Sequence, residues 1–147
     1  MRVTGPWSLE RVHEHLESTA IPLRLAYASQ SAHPQLLSLW FVWRDGALWC
    51  ATSAQARVVA MLEHEPRCGF EVAPDAPPYH GVRGRGIATL DRARGAETLE
   101  LLVDRYLGTR ESPFARWLLA RAASEIAIRI KPASLASWDF SARMTAR

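Results

Sequence analysis

The chain has 147 residues, 48% of them hydrophobic and 22% charged, which is the composition of one folded domain (residues 1–147) rather than of a disordered or fibrous protein. No apolar run reaches the ~18 residues of a membrane span, and the N-terminus MRVTGPWSLERVHEHLE lacks the apolar core of a signal peptide, so no membrane association and a cytoplasmic location are expected. The 18 basic residues, of which only Lys131 is lysine, give a net charge of +3 but are interleaved with acids, which argues against nucleic acid as a partner.

Trp7 and Ser8 open a helix with Leu9, Val12 and Leu16 at helical spacing, ending before Ile21-Pro22. Leu23 to Ala28 reads as a first strand, followed by a polar turn from Ser29 to Pro34. Two aromatic and β-branched runs, Leu36 to Trp43 and Ala47 to Ala51, are joined through Arg44, Asp45 and Gly46, a strong hairpin signal. Val58, Val59, Met61 and Leu62 then follow helical spacing until Pro66. Cys68 to Val72 gives a fourth strand, and the three prolines between Ala73 and Tyr79 make that segment a connection. Val82 to Leu90 is extended again, with Gly84 and Gly86 on one face and Arg83 and Arg85 on the other, a pattern of tight curvature or close backbone approach.

From Ala96 to Leu107 apolar residues recur as on an amphipathic helix, with Gly108 where a C-cap belongs. Ser112-Pro113 has the form of an N-cap followed by proline at the first helical position, leading a short helix with Phe114, Trp117 and Leu118. Ile126 to Lys131 alternates as a last half-buried strand ending at Pro132, after which an extended tail carries Trp138. Consecutive strands joined by hairpins predict an antiparallel sheet, and the glycine pattern favours a small barrel with peripheral helices.

Several chemistries are absent. There is no HExxH, GxSxG or Walker loop, and the glycines from Gly81 to Gly86 lead into a strand rather than a phosphate loop. Cys50 and Cys68 form no CxxC and are expected as buried reduced thiols. His13 and His15 point to different faces of their helix, and His33, His64 and His80 are single, so no metal site and no catalytic acid or base is assigned. The six tryptophans offer stacking faces, although Trp40, Trp43 and Trp49 are first expected to fill the barrel or a subunit interface.

The junction after the hairpin is the most informative stretch. Thr52 or Ser53 stands where a helix N-cap is expected, and the first turn of a helix presents unpaired amides and a positive dipole end. With Arg57 one turn on, this junction suits a phosphate. The alternative is that the hydroxyl only caps the helix while Arg57 is a solvated charge.

These motifs in this order resemble the pyridoxamine 5′-phosphate oxidase-like, flavin-binding split-barrel group, from about Leu23 to Trp138. The resemblance rests on the Asp45-Gly46 hairpin, the Ala51-Thr52-Ser53 to Arg57 junction, Glu65-Pro66-Arg67, Gly81-Val82 to Gly86, and Ile130-Lys131-Pro132 through Trp138-Asp139. It implies a mainly β, α+β fold, a six-stranded antiparallel split β-barrel, homodimeric, with two FMN sites at the subunit interface. In that pattern Leu37, Ser38, Leu39 and Trp40 line the flavin ring, with Phe41 and Val42 continuing the same strand. Ala51, Thr52, Ser53 and Arg57 lie near the ribityl phosphate, and Gly81 and Trp138 approach the ring from elsewhere.

The chain departs from the oxidase at Ala56-Arg57-Val58, where Ser-Arg-Lys is usual, at Leu37 and Val42, where arginine and lysine stand, and at Phe140 to Arg143, which lacks Arg-x-His. The resemblance therefore implies an FMN-binding oxidoreductase acting on an unidentified small molecule. One alternative is a deazaflavin-dependent reductase on the same fold, and another is a non-catalytic flavin- or haem-binding barrel.

Overall fold

The computed structural model describes residues 1–145; the last two residues of the expected extended tail, Ala146 and Arg147, lie outside the described residues. In chain order the elements are β1 (Arg2–Thr4), α1 (Leu9–Ser18), β2 (Leu23–Ala28), β3 (Pro34–Leu39), β4 (Val42–Arg44), β5 (Ala47–Ser53), α2 (Arg57–His64), β6 (Arg67–Val72) and β7 (His80–Asp91). They are followed by α3 (Gly95–Leu107), α4 (Pro113–Leu119), a short 3₁₀ turn (Ala122–Ser124), β8 (Glu125–Asp139) and α5 (Ser141–Thr145).

The strands form one sheet in the order β3-β2-β6-β7-β8-β5-β4, antiparallel along that path, with β1 parallel beside β8. Its two ends, β3 and β4, are separated in the chain only by Trp40 and Phe41, so the sheet curls back on itself. The fold is mainly β with helices, as expected, but the six expected strands become eight. The run from Leu36 to Trp43 divides into β3 and β4, and Arg2–Thr4, which has no alternation of its own, adds β1.

The division at Phe41 has a physical cause. Its side chain is fully buried, and its N–H donates to the Tyr106 hydroxyl of α3 at 3.2 Å, while that hydroxyl reaches the Ile21 carbonyl at 2.8 Å. A side chain thus satisfies backbone groups where the ladder is interrupted. The hairpin itself follows its sequence signal: Asp45 and Gly46 both have positive φ, 51° and 68°, as a tight hairpin turn demands.

A second difference concerns the last strand. It does not stop at Pro132 but runs on to Asp139, so Trp138 is a strand residue paired with Gly81 rather than part of a polar tail. The ladder with β7 shifts register between Arg85 and Gly86, and this bulge lets a proline, which cannot donate, pass within the strand. Gly84 is required by close approach: a Cβ there would stand 2.5 Å from the Phe70 ring.

Inside the curl, Leu23, Leu25, Leu48, Ile126, Ile128 and Ile130 are fully or almost fully buried. Each such side chain contributes about 1.5–3 kcal/mol of burial. α2 closes on this core through Val58, Val59 and Leu62, and α1 through Val12 and Leu16, whereas Leu9, expected on the apolar face, is exposed. Cys50 and Cys68 are buried and unbridged, and burial pushes both thiols up, Cys68 to about 11. α3 ends at Gly108 in the left-handed conformation, and Ser112 caps α4 by accepting from the Ala115 N–H at 3.2 Å, both as the sequence indicates. Among the described residues no helix is long and apolar enough to cross a membrane.

α1 docks through an aromatic and imidazole cluster. His15 Nε2 donates to the Val72 carbonyl at 2.9 Å and its ring lies 5.2 Å from Trp7 and 6.0 Å from His80. Burial, with His80 and Arg11 facing it, lowers the His15 pKa from 6.5 despite the bond to Val72. The folded chain therefore binds fewer protons than the unfolded chain just below that value, and stability falls as pH drops through the ordinary histidine range. Urea midpoints measured from about pH 8 to about pH 5 are expected to decline, and His15→Gln to flatten the decline; an unaltered pH profile in the variant would contradict this.

Candidate functional site

The region expected to hold a phosphate forms at the end of β5. Continuing the β4–β5 register, in which Val42 faces Trp49, would set Trp40 opposite Ala51 and Ser38 opposite Ser53. Instead β3 pairs with β2, and the two strands part. Ser38, Ser53 and Arg57 are exposed, and Thr52 is half-buried.

The helix start differs from expectation. The N-cap of α2 is Ala56, not Thr52 or Ser53, and it makes no side-chain capping bond. Ser53 is occupied two residues earlier, its hydroxyl accepting from the Gln55 N–H at 3.2 Å and its carbonyl from the Ala56 N–H at 3.0 Å. The first amides of α2 are consequently left without a side-chain partner, beside an Arg57 that makes no ion pair among the described residues. The Val59 N–H donates to the Ala56 carbonyl at 3.1 Å, so the Arg57 and Val58 amides, with the guanidinium and a hydroxyl, are the donor set that fits a phosphate. Val58 follows Arg57, so the first turn of the helix carries no second positive charge.

The expected ring-lining residues divide. Leu37 and Leu39 turn inward and pack on the barrel core, leaving Ser38 on the outer face. Trp40 is stacked on Tyr106, with ring centroids 4.8 Å apart and planes 2° from parallel, and meets Phe114 edge-on. Ala51 packs against the α3–α4 cluster of Leu99, Val103 and Ala115. Trp49 is buried with Arg94 and Arg129 over its ring, and Trp43 packs on the core beside His13, both in packing roles.

Gly81 and Trp138 face each other across the β7–β8 ladder. A Cβ on Gly81 would stand 2.5 Å from the Ala73 Cβ and 2.8 Å from the Trp138 ring, so glycine is what lets the indole lie down here. Gly81→Ala is expected to destabilise the fold by about 1–3 kcal/mol through overpacking. A chemical melt followed by circular dichroism would measure it, and unchanged stability would refute the packing argument. The Arg83 guanidinium lies over the Trp138 ring, 5.2 Å from its centroid.

This pair is remote from Arg57. Gly81 begins β7, beside the α1 end of the barrel, whereas Pro66, at the far end of α2, bonds Ala88 near the other end of β7. The ten steps from Gly81 to Asp91 span roughly 30 Å of strand. Ser53, four residues before Arg57, pairs with Glu125 at the start of β8, so a single chain holds the two parts of the expected site toward opposite ends of that strand.

No protein-family model matches the chain, and no curated protein matches it. Solved structures do. A conserved hypothetical protein from Mycobacterium tuberculosis superposes with a TM-score of 0.78 at 20% identity, covering 97% of this chain and 91% of its own. An F420 reductase gives 0.71 at 21% identity, over 88% of this chain and 97% of its own. A candidate pyridoxamine 5′-phosphate oxidase from Listeria innocua gives 0.65 at 16% identity, over 86% and 94%. At these identities the likeness is one of fold, and the chain has the barrel fold of the flavin-binding group that its sequence resembles.

Proposed function

We propose that the chain is a homodimeric, FMN-binding oxidoreductase whose cofactor site is completed only between two copies. The observation that carries this reading is the placement of the two parts of the expected site: Ser53, which leads to Arg57 and the uncapped start of α2, pairs with Glu125 at one end of β8, and Gly81 pairs with Trp138 near the other. In a two-fold pair each surface meets its counterpart on the other copy, so two half-sites per chain make two whole sites per dimer.

In this arrangement Arg57, Ser53 and the first amides of α2 hold the phosphate. The backbone around Ser38 abuts the ring, because the side chains of Leu37, Leu39 and Trp40 are engaged elsewhere. Trp138 of the second copy covers it. A flavin held there would supply hydride-transfer chemistry for a small-molecule substrate, and the protein would supply its position and electrostatics. The similarity to an F420 reductase supports a second reading in which a deazaflavin replaces FMN.

Purified protein is expected to be yellow and to release FMN identifiable by mass spectrometry. A colourless protein that takes up deazaflavin but not FMN favours the second reading. One that takes up neither contradicts both and leaves a barrel without this cofactor.

A further inference from the structure

Beyond Ala136 the last strand has a strand neighbour on one edge only among the described residues. β5 pairs with β8 from Glu125 to Ile130 and β1 from Ser134 to Ala136, whereas β7 alone follows it to Asp139. What else holds this end is Trp7. Its backbone N–H donates to the Ser137 hydroxyl at 3.0 Å and its indole Nε1–H to Asp139 Oδ2 at 3.0 Å, so one residue of the N-terminal segment grips both neighbours of Trp138.

The segment is built for this contact. Gly5 has a φ of 98°, and a Cβ on it would collide with the Ser137 carbonyl oxygen, so glycine is what lets the chain pass so close. Trp7 and Ser137 are both buried, and the Arg11 guanidinium lies 4.7 Å over the indole. Bonds from Ser141, then from Trp7, hold the Asp139 carboxyl pKa down at about 2, so the indole N–H meets a charged acceptor at neutral pH. Successive strand side chains point to opposite faces. A grip on Ser137 and Asp139 therefore presents Trp138 on the other face, where Arg83 lies over its ring.

From this we infer that Trp7 is a positioning residue for the cofactor site: by fixing Ser137 and Asp139 it sets the position in which Trp138 meets the flavin held by the second copy. The inference rests on the proposed function, which lays Trp138 over that ring, and it adds the N-terminal segment to the site.

Trp7→Phe in the full chain tests it, because phenylalanine keeps an aromatic ring and the backbone bond to Ser137 but not the bond to Asp139. Affinity for FMN, or for the deazaflavin if the wild type binds only that, is expected to fall about three- to tenfold. In a Trp138→Ala background the same substitution is expected to change affinity less than about twofold, since nothing is left to position. Ser137→Ala, which removes the acceptor of the backbone bond, is expected to act in the same direction and serves where Trp7→Phe does not fold. Indole N–H resonances of cofactor-free protein carrying isotope-labelled tryptophan give a second readout. The Trp138 resonance, identified by its loss in Trp138→Ala, is expected to shift in Trp7→Phe, while that of Trp49, bonded to the Arg44 carbonyl at 3.1 Å, stays. Equal losses of affinity with and without Trp138, or a Trp138 resonance that does not move, overturn the inference. A wild type that takes up neither cofactor contradicts the proposed function instead, and the Trp138 resonance then still decides whether Trp7 positions that residue.

Discussion

Arg57→Ala is expected to weaken FMN binding about 10- to 100-fold, the range that corresponds to losing one charge-assisted contact to phosphate. The start of α2 has no side-chain cap and Val58 brings no second charge, so Arg57 is the one cation within the helix's first turn. Its contribution is not shared. Arg57 is exposed and its side chain makes no ion pair among the described residues, so the variant should melt with the wild type while its flavin affinity, followed by quenching of flavin fluorescence, falls. The same substitution is expected to weaken a deazaflavin phosphate by a similar factor. Unchanged affinity for both removes Arg57 from the site.

Phe41→Ala is expected to cost about 3–5 kcal/mol of stability, among the largest effects of any single truncation in the chain. Phe41 is fully buried at the point where the sheet's two ends meet, its ring lies 4.9 Å beneath the Arg105 guanidinium, and its N–H is held by Tyr106. Arg105 in turn donates to the Leu16 and Thr19 carbonyls at 3.1 and 2.8 Å, so the cavity left by the ring loosens α1 as well as β3 and β4. Equilibrium denaturation measures the loss. A loss below about 1 kcal/mol would mean that the strand break does not depend on this side chain.

What could be read from the sequence is what local chemistry decides. The Asp45-Gly46 turn, the Gly108 end of α3 and the Ser112-Pro113 start of α4 depend on backbone preferences of the residues themselves, and each forms where its signal stands. What could not be read depends on distant partners. The break at Trp40-Phe41 is held by Tyr106, 65 residues away, and the passage of β8 through Pro132 is possible only because β7 accepts a bulge opposite it. Ser53 looks like an N-cap, but it serves a turn two residues earlier, so the helix starts at Arg57 without a cap.

The site follows the same division. The position of Arg57 at the head of α2 was legible from spacing. That Leu37, Leu39, Trp40 and Ala51 would be taken up by the core or by α3 and α4 was not, because alternation along a strand does not reveal what covers each face. Nor does spacing reveal that Gly81 and Trp138 lie at the other end of the ladder from the helix that would hold the phosphate.

The claim that each cofactor site draws on two chains has a direct test in mixing. Arg57→Ala protein and Trp138→Ala protein, each deficient in flavin binding alone, are dissociated, combined and reassociated, and tight flavin sites are counted by titration. Statistical pairing makes hybrids in which one site receives Arg57 and Trp138 intact and the other receives neither, so about a quarter of all sites are expected to recover wild-type affinity. No recovery on mixing, with both variants shown to exchange subunits, would contradict the account.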